Sequence, residues 1–284
     1  MKQLTLICIA LLAALQTNAQ AEQYKFRNID ISNGLSNNQV TSFLHDRAGY
    51  IWVGTAFGLN RYDGYSFKVF TNNPSDSLSL ASNDISKIFE DHEGKLWLFA
   101  NDRINCIFDP ITEMASSDNP LFHKQIPLEQ HYITCMLADG RGNLWISNSR
   151  KGLYVYNIDT DSLSLMSNKR NNDKSLVSDC LTYLAQDPDG SVWTCNLDGV
   201  LEKIDAATRT VSERIFAIGT PLGDEQPSYK FFIDSDGDFW IYALNYNSGL
   251  YFYSRSSGVK HHFTTSDNKY HINNNKVTSV EQDN

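Results

Sequence analysis

From Val40 onward the chain sets short apolar runs between polar turns. In the first stretch Val40 to Leu44 is apolar-rich, Tyr50 to Val53 is a second run, Gly58 to Asp63 carries a third, and Ser66 to Phe70 alternates. Short runs of this kind, bounded by Gly, Asn, Asp and Pro, read as β-strands. The turn between the first two is Asp46-x-x-Gly49. Asp at the first position accepts backbone N–H groups and Gly stands at the fourth, which is a type I turn signature. A polar stretch from Thr71 leads to the next unit, and no helix is expected beyond the N-terminal segment.

The pattern then repeats. Asp46, Gly49 and Trp52 recur as Asp91, Gly94 and Trp97, as Asp139, Gly142 and Trp145, as Asp187, Gly190 and Trp193, and as Asp234, Gly237 and Trp240. All 5 tryptophans of the chain fall in this D-x-x-G-x-x-W pattern, at intervals of 45, 48, 48 and 47 residues. A steady period of this size marks an array of supersecondary units. Four short strands per unit predict an all-β propeller of four-stranded antiparallel blades, with five complete blades of a seven-bladed ring. The blades are expected over residues 37–82, 83–130, 131–177, 178–225 and 226–273. The repeated Trp is expected in the layer between blades, a structural role rather than a ligand-binding one. The second unit departs from the others, with Arg103-Ile104 where Gly-Leu is expected.

Both ends differ from the array. Lys2, the apolar run Leu4 to Leu15 and the Ala19-x-Ala21 site predict a secretory signal peptide over 1–21, too short to span a bilayer. Residues 22–36 are expected as a closing strand and lead-in, because Tyr24 to Ile31 alternates like an outer strand. Asn274 to Asp283 repeats the beginning of the first unit, so 274–284 is expected as the first strand of a sixth blade, and the sequence as the N-terminal piece of a longer protein.

Charge narrows the partners. The chain has 24 Lys and Arg against 33 Asp and Glu, a net charge of −9, which gives no basic face for nucleic acid or anionic membrane. Cys106, Cys135, Cys180 and Cys195 fall at non-equivalent places in the repeat. They fit either two disulfides or buried thiols acting as small hydrophobes. His45 and His92 lie at the turns, and neighbours His261 and His262 point to opposite faces of a strand, so no metal site is expected. No phosphate loop, nucleophile elbow or cofactor motif is present, and no cofactor is expected.

The blades resemble the two-component regulator propeller family. The first carries Gly34-Leu35-Ser36, Asp46 to Trp52, Gly54-Thr55, Gly58-Leu59 and Tyr62-Asp63-Gly64, close to that family's consensus. A signal peptide directly before such a propeller also resembles the start of the hybrid two-component sensors of Bacteroidetes. The resemblance implies the periplasmic sensing region of an inner-membrane-tethered, homodimeric sensor kinase that detects glycan fragments. Its partners would be an oligosaccharide and the rest of its own chain, including a kinase that these residues do not contain. The alternative is a secreted carbohydrate-active enzyme, a lyase or glycosidase, on a propeller scaffold. Ligand contacts are expected in the variable loops between second and third strands, from Arg103, Arg150 and Tyr246.

Overall fold

The computed structural model describes residues 28–100, 103–118, 133–218, 227–244, 246–267 and 269–282. These form five four-stranded antiparallel sheets, each made of four consecutive strands. The first contains β1 (Val40–His45), β2 (Ile51–Thr55), β3 (Gly58–Tyr62) and β4 (Phe67–Phe70). The second contains β5 (Lys87–Glu90), β6 (Leu96–Ala100), β7 (Arg103–Asp109) and β8 (Met114–Ser116). In the third are β9 (Ile133–Ala138), β10 (Asn143–Asn148), β11 (Gly152–Asn157) and β12 (Ser162–Met166). The fourth holds β13 (Leu181–Gln186), β14 (Val192–Asn196), β15 (Val200–Asp205) and β16 (Thr210–Phe216). The fifth holds β17 (Tyr229–Ile233), β18 (Phe239–Ala243), β19 (Leu250–Tyr253) and β20 (Lys260–Phe263). First strands of neighbouring sheets touch, β1 with β5, β5 with β9, β9 with β13 and β13 with β17. The sheets therefore fan out from a shared inner edge of first strands, which is propeller architecture.

Each repeated tryptophan sits on a second strand and packs into the following blade. Trp52 joins Leu96, Leu98 and Phe108 of the second blade, and Trp97 joins Leu144 and Ile146 of the third. Trp145 packs on Val192 and Ile204 of the fourth, and Trp193 on Phe239 and Ile241 of the fifth. In the second to fifth blades the residues flanking the Trp point to the opposite face, towards the preceding blade's Trp, as the pleat demands. These four rings are at most 1% exposed, whereas Trp240, with no following blade among the described residues, is half-buried. At the other end the first sheet leaves Phe43, Ile51 and Val69 exposed on the face that in later blades meets the preceding one.

Local chemistry explains the third-strand glycine and its one omission. A Cβ on Gly152 would lie 2.3 Å from the Met166 carbonyl, and φ there is +90°. Only glycine lets the third strand begin this close to the end of the fourth. In the second blade β8 ends at Ser116, opposite Ile107, and never reaches Arg103, so a side chain is tolerated.

Two buried polar side chains hold the connections entering their own blades. Asn60 stands opposite Val53 and its Oδ1 accepts the Ser36 N–H at 2.8 Å. Glu202 occupies the matching place opposite Thr194 and accepts the Val177 N–H at 3.0 and 3.1 Å. Arg214 Nε donates to Glu202 at 2.6 Å.

One expectation needs correction, and another reaches past the described residues. The alternation up to Ile31 does not make a strand at its described end: Ile31–Asn33 is a 3-10 turn. Asp30 accepts the Ser32 N–H, Asn33 accepts the Asp30 N–H, and Gly34 closes at φ +101°, so reciprocal capping overrides the period-two pattern. Tyr24 to Arg27, like the signal segment, lies outside the described residues. The segment expected as the first strand of a sixth blade, 274–284, has no ladder among the described residues, since a first strand is paired by its own second strand and none is described. Its described part follows the path of such a strand: the Gly249 N–H donates to the Asn275 carbonyl at 2.8 Å, as Gly152 does to Asp179 at 2.9 Å. Val280, Glu281 and Gln282 lie along the face of Trp240, with Gln282 bonded to the Ser235 backbone and hydroxyl at 2.7 Å each.

Candidate functional site

The repeated turn is a fixed cluster. In all five copies the Trp Nε1–H donates to Oδ2 of the turn Asp, at 2.6, 2.9, 2.8, 3.1 and 2.8 Å in chain order. In the first, second, third and fifth copies the other oxygen collects turn amides. Asp139 Oδ1 accepts from Arg141 N at 2.9 Å and Asn143 N at 3.0 Å, and the closing Gly142 has φ +74°. Burial works against the charge on Asp139, but bonds from Asn143, Trp145 and the backbone outweigh it and hold the carboxyl below the usual range. Asp187 is also bridged from the fifth blade by Arg255 Nη1 at 2.9 Å, with Lys203 Nζ at 3.5 Å. Arg47, in the first turn, reaches Glu90 at 2.9 Å and the Asp91 and His92 carbonyls of the second blade. With their oxygens committed to indoles and amides, these aspartates are structural.

Antiparallel order places these turns, and those between third and fourth strands, at one end of the array. The loops between second and third strands lie at the other. Arg103, Arg150 and Tyr246 all belong to that second end, on three different blades. Arg103 and Arg150 are exposed, and the Arg150 backbone is fixed by Asn148 Oδ1 at 3.0 Å. Tyr246 is half-buried against the cluster of Trp193 and Phe239 rather than presented as an open stacking face. Asn101, Asp102 and Asn245 lie outside the described residues.

A cleft that sequence reasoning did not anticipate opens at the turn end. Its volume is 640 Å³, and it lies where the turns of the third, fourth and fifth blades converge, lined by Arg141, Gln186, Asp187, Pro188, Ile233 and Asp234 among others. A smaller cavity of 320 Å³ borders Trp240, Leu250 and Val280 on the open face of the fifth sheet.

Three of the histidines are engaged. His261 pairs with Asp267 at 2.8 Å, and His262 stacks on Tyr251 with ring centroids 4.0 Å apart. His92 is half-buried and reaches Asp159 of the next blade at 3.7 Å. Ligand atoms of His92, Glu93 and Asp159 lie within 4.8 Å of one another, but Glu93 is bound to Lys95 at 2.6 Å, so the group is an ion-pair cluster. Of the alternatives for the cysteines, the structure has free thiols, buried at Cys106, Cys135 and Cys195 and half-buried at Cys180. Burial pushes the Cys195 thiol up to about 12, and raises Cys106 and Cys135 as well.

Two segments of the chain, residues 34–57 and 127–150, match the family model of the two-component regulator propeller. Those two segments are similar to two-component regulator propeller blades, and the five four-stranded sheets give the chain a propeller fold. A histidine kinase of Formosa agariphila is 40% identical over 68 residues, which is 24% of this chain and 5% of that relative. The extracellular domain assigned to a hybrid two-component system of B. thetaiotaomicron aligns with TM-score 0.61 and 18% identity, covering 86% of this chain and 32% of that one. PorZ, a surface component of the type-IX secretion system of Porphyromonas gingivalis, aligns with TM-score 0.56 and 17% identity over 83% of this chain and 35% of its own. At these identities the structural likeness shows the fold. This chain spans about a third of each of those structures. Among the described residues no helix is long and apolar enough to cross a membrane.

Proposed function

We propose that this chain is the outward-facing, ligand-sensing propeller region of a hybrid two-component sensor, and that its ligand is a glycan fragment. The observation that carries this is the regulator-propeller repeat itself, matched at two separate blades, together with 40% identity over 68 residues to a histidine kinase. The structural support is that the turn aspartates are spent on tryptophan indoles, a scaffold role that leaves ligand contacts to other residues. The uncovered Trp240 face and the exposed Phe43, Ile51 and Val69 support completion of the ring by further blades of the same polypeptide. Export from the cytoplasm follows from the leader-like N-terminus and agrees with the extracellular placing of the structural relative. The reading is tested by deleting the codons for residues 37–273 from the native gene and sequencing transcripts on a panel of polysaccharides. Induction of one polysaccharide-dependent gene set should be lost, and unchanged induction on every polysaccharide would overturn the reading.

A further inference from the structure

The cleft at the turn end has a charge character that its lining defines. Asp187 and Asp234 face it, yet each gives an oxygen to its Trp, and Asp187 is further neutralised by Arg255 and Lys203. Arg141 is different. It is exposed, its backbone is engaged by Asp139 and Asn157, and its guanidinium has no hydrogen bond or ion pair among the described residues. Beside it the Gln186 amide donates once, to the Gly190 carbonyl at 3.3 Å, which leaves its oxygen and one N–H to spare. Pro188 and Ile233 supply apolar wall. The volume of 640 Å³ lies within the range of small-molecule sites, about 300–1,000 Å³.

We infer that this cleft binds a carboxylate-bearing ligand, with Arg141 receiving the carboxylate and Gln186 meeting adjacent hydroxyl or carbonyl groups. A planar guanidinium with all its donors free matches a carboxylate bidentately, and such charge-assisted pairs are stronger than neutral ones. Of the nearby carboxylates, Asp187 and Asp234 are held by tryptophans, and Asp205, within electrostatic reach of Arg141, is engaged by the Thr208 backbone and hydroxyl. The inference rests on the sensing reading and gives its ligand both a charge and a place. The carboxylate belongs either to an acidic sugar or to a small organic acid.

Calorimetry on the purified protein with D-glucuronate, succinate and D-glucose tests it, using Arg141→Ala, Arg141→Lys, Gly140→Phe and Tyr65→Ala. A Cβ at Gly140 meets nothing within 4 Å and its φ is ordinary, so Phe there fills the cleft without disturbing the turn. Glucuronate should bind, with glucose at least about tenfold weaker. Arg141→Ala should weaken glucuronate by about tenfold or more, and Arg141→Lys should recover part of that loss, because the charge remains and the fork is lost. Gly140→Phe should abolish binding, and Tyr65→Ala, exposed on the first blade and outside the cleft's lining, should leave it unchanged. Succinate as tight as glucuronate assigns the site to a free acid, and weaker succinate assigns it to an acidic sugar; both sustain the proposal. Equal affinity for glucose and glucuronate, no binding of either acid, or full affinity in both Arg141→Ala and Gly140→Phe would overturn it. In those cases the transcript experiment still decides the sensing reading by itself.

Discussion

Asp187 Oδ2 accepts the indole N–H of Trp193 at 3.1 Å, and that same oxygen takes Nη1 of Arg255 from the next blade at 2.9 Å. One carboxylate oxygen thus orients the side chain that fills an inter-blade layer and holds the neighbouring blade against it. The Arg255 guanidinium also lies over the Trp193 ring, 5.3 Å from its centroid. This junction shows how the repeat converts a local turn into long-range order: the turn fixes the Trp, and the Trp fixes the next blade.

Asp139 accepts from the backbone N–H groups of Arg141 and Asn143, the Asn143 amide and the Trp145 indole, and is itself 2% exposed. Asp139→Ala leaves several buried donors unmatched and should cost about 3 kcal/mol in urea unfolding. The exposed turn residue Asp236, replaced by Ala, should change stability by less than about 0.5 kcal/mol.

Trp145 is fully enclosed by the fourth blade while Trp240 has only its own sheet and the segment after it. Trp145→Ala should cost about 3–5 kcal/mol and Trp240→Ala roughly half of that. In a polypeptide that extends beyond residue 284 by another blade, the Trp240→Ala penalty should rise to match Trp145→Ala. Equal penalties in the 284-residue chain would show that the fifth blade's face is already covered.

Burial raises the pKa of the Glu202 carboxyl above its ordinary 4.5, against the opposing pull of Arg214 and the Val177 amide. The native state therefore holds this proton to higher pH than the unfolded chain does. The group's contribution to stability is complete below the unfolded value and is lost as pH rises through the folded one. Glu202→Gln keeps an acceptor for Val177 and cannot titrate. The stability of wild type relative to this variant should fall as pH rises from about 4 through the folded pKa. Unfolding titrations at successive pH values read the difference, and a flat difference would contradict the raised pKa.

Gly152 and Gly140 lie twelve residues apart on the third blade and should respond oppositely to one added methyl group. Gly152→Ala combines φ +90° with a 2.3 Å approach to the Met166 carbonyl, and should lower stability by about 2 kcal/mol or more. Gly140→Ala meets open space and should stay within about 0.5 kcal/mol. Thermal unfolding of the two variants side by side checks this.

The blades were legible because their signals are local. Asp46, Gly49 and Trp52 and their four copies lie within seven residues of one another, and the turn, the second strand and the inter-blade ring all follow from them. The Gly-Leu start of the third strand was equally visible, and even its omission at Arg103 marked a real difference in β8. What could not be read crosses between blades. Arg255 reaches Asp187 from 68 residues away and has no counterpart at a fixed repeat position, so no period announces it. The cleft beside Arg141 is likewise assembled from three turns whose convergence depends on the radial arrangement. Ile31 failed for the opposite reason, since a capping sequence of four residues outweighed an alternation that looked strand-like.

The most direct test of the sensing account is to incubate the purified protein with a panel of saccharides, neutral and acidic, and follow melting temperature and product chromatography together. The account predicts a saturable rise in melting temperature for one class of saccharide, which is recovered intact. Cleavage of any saccharide in the panel, or no stabilisation by any of them, would contradict it.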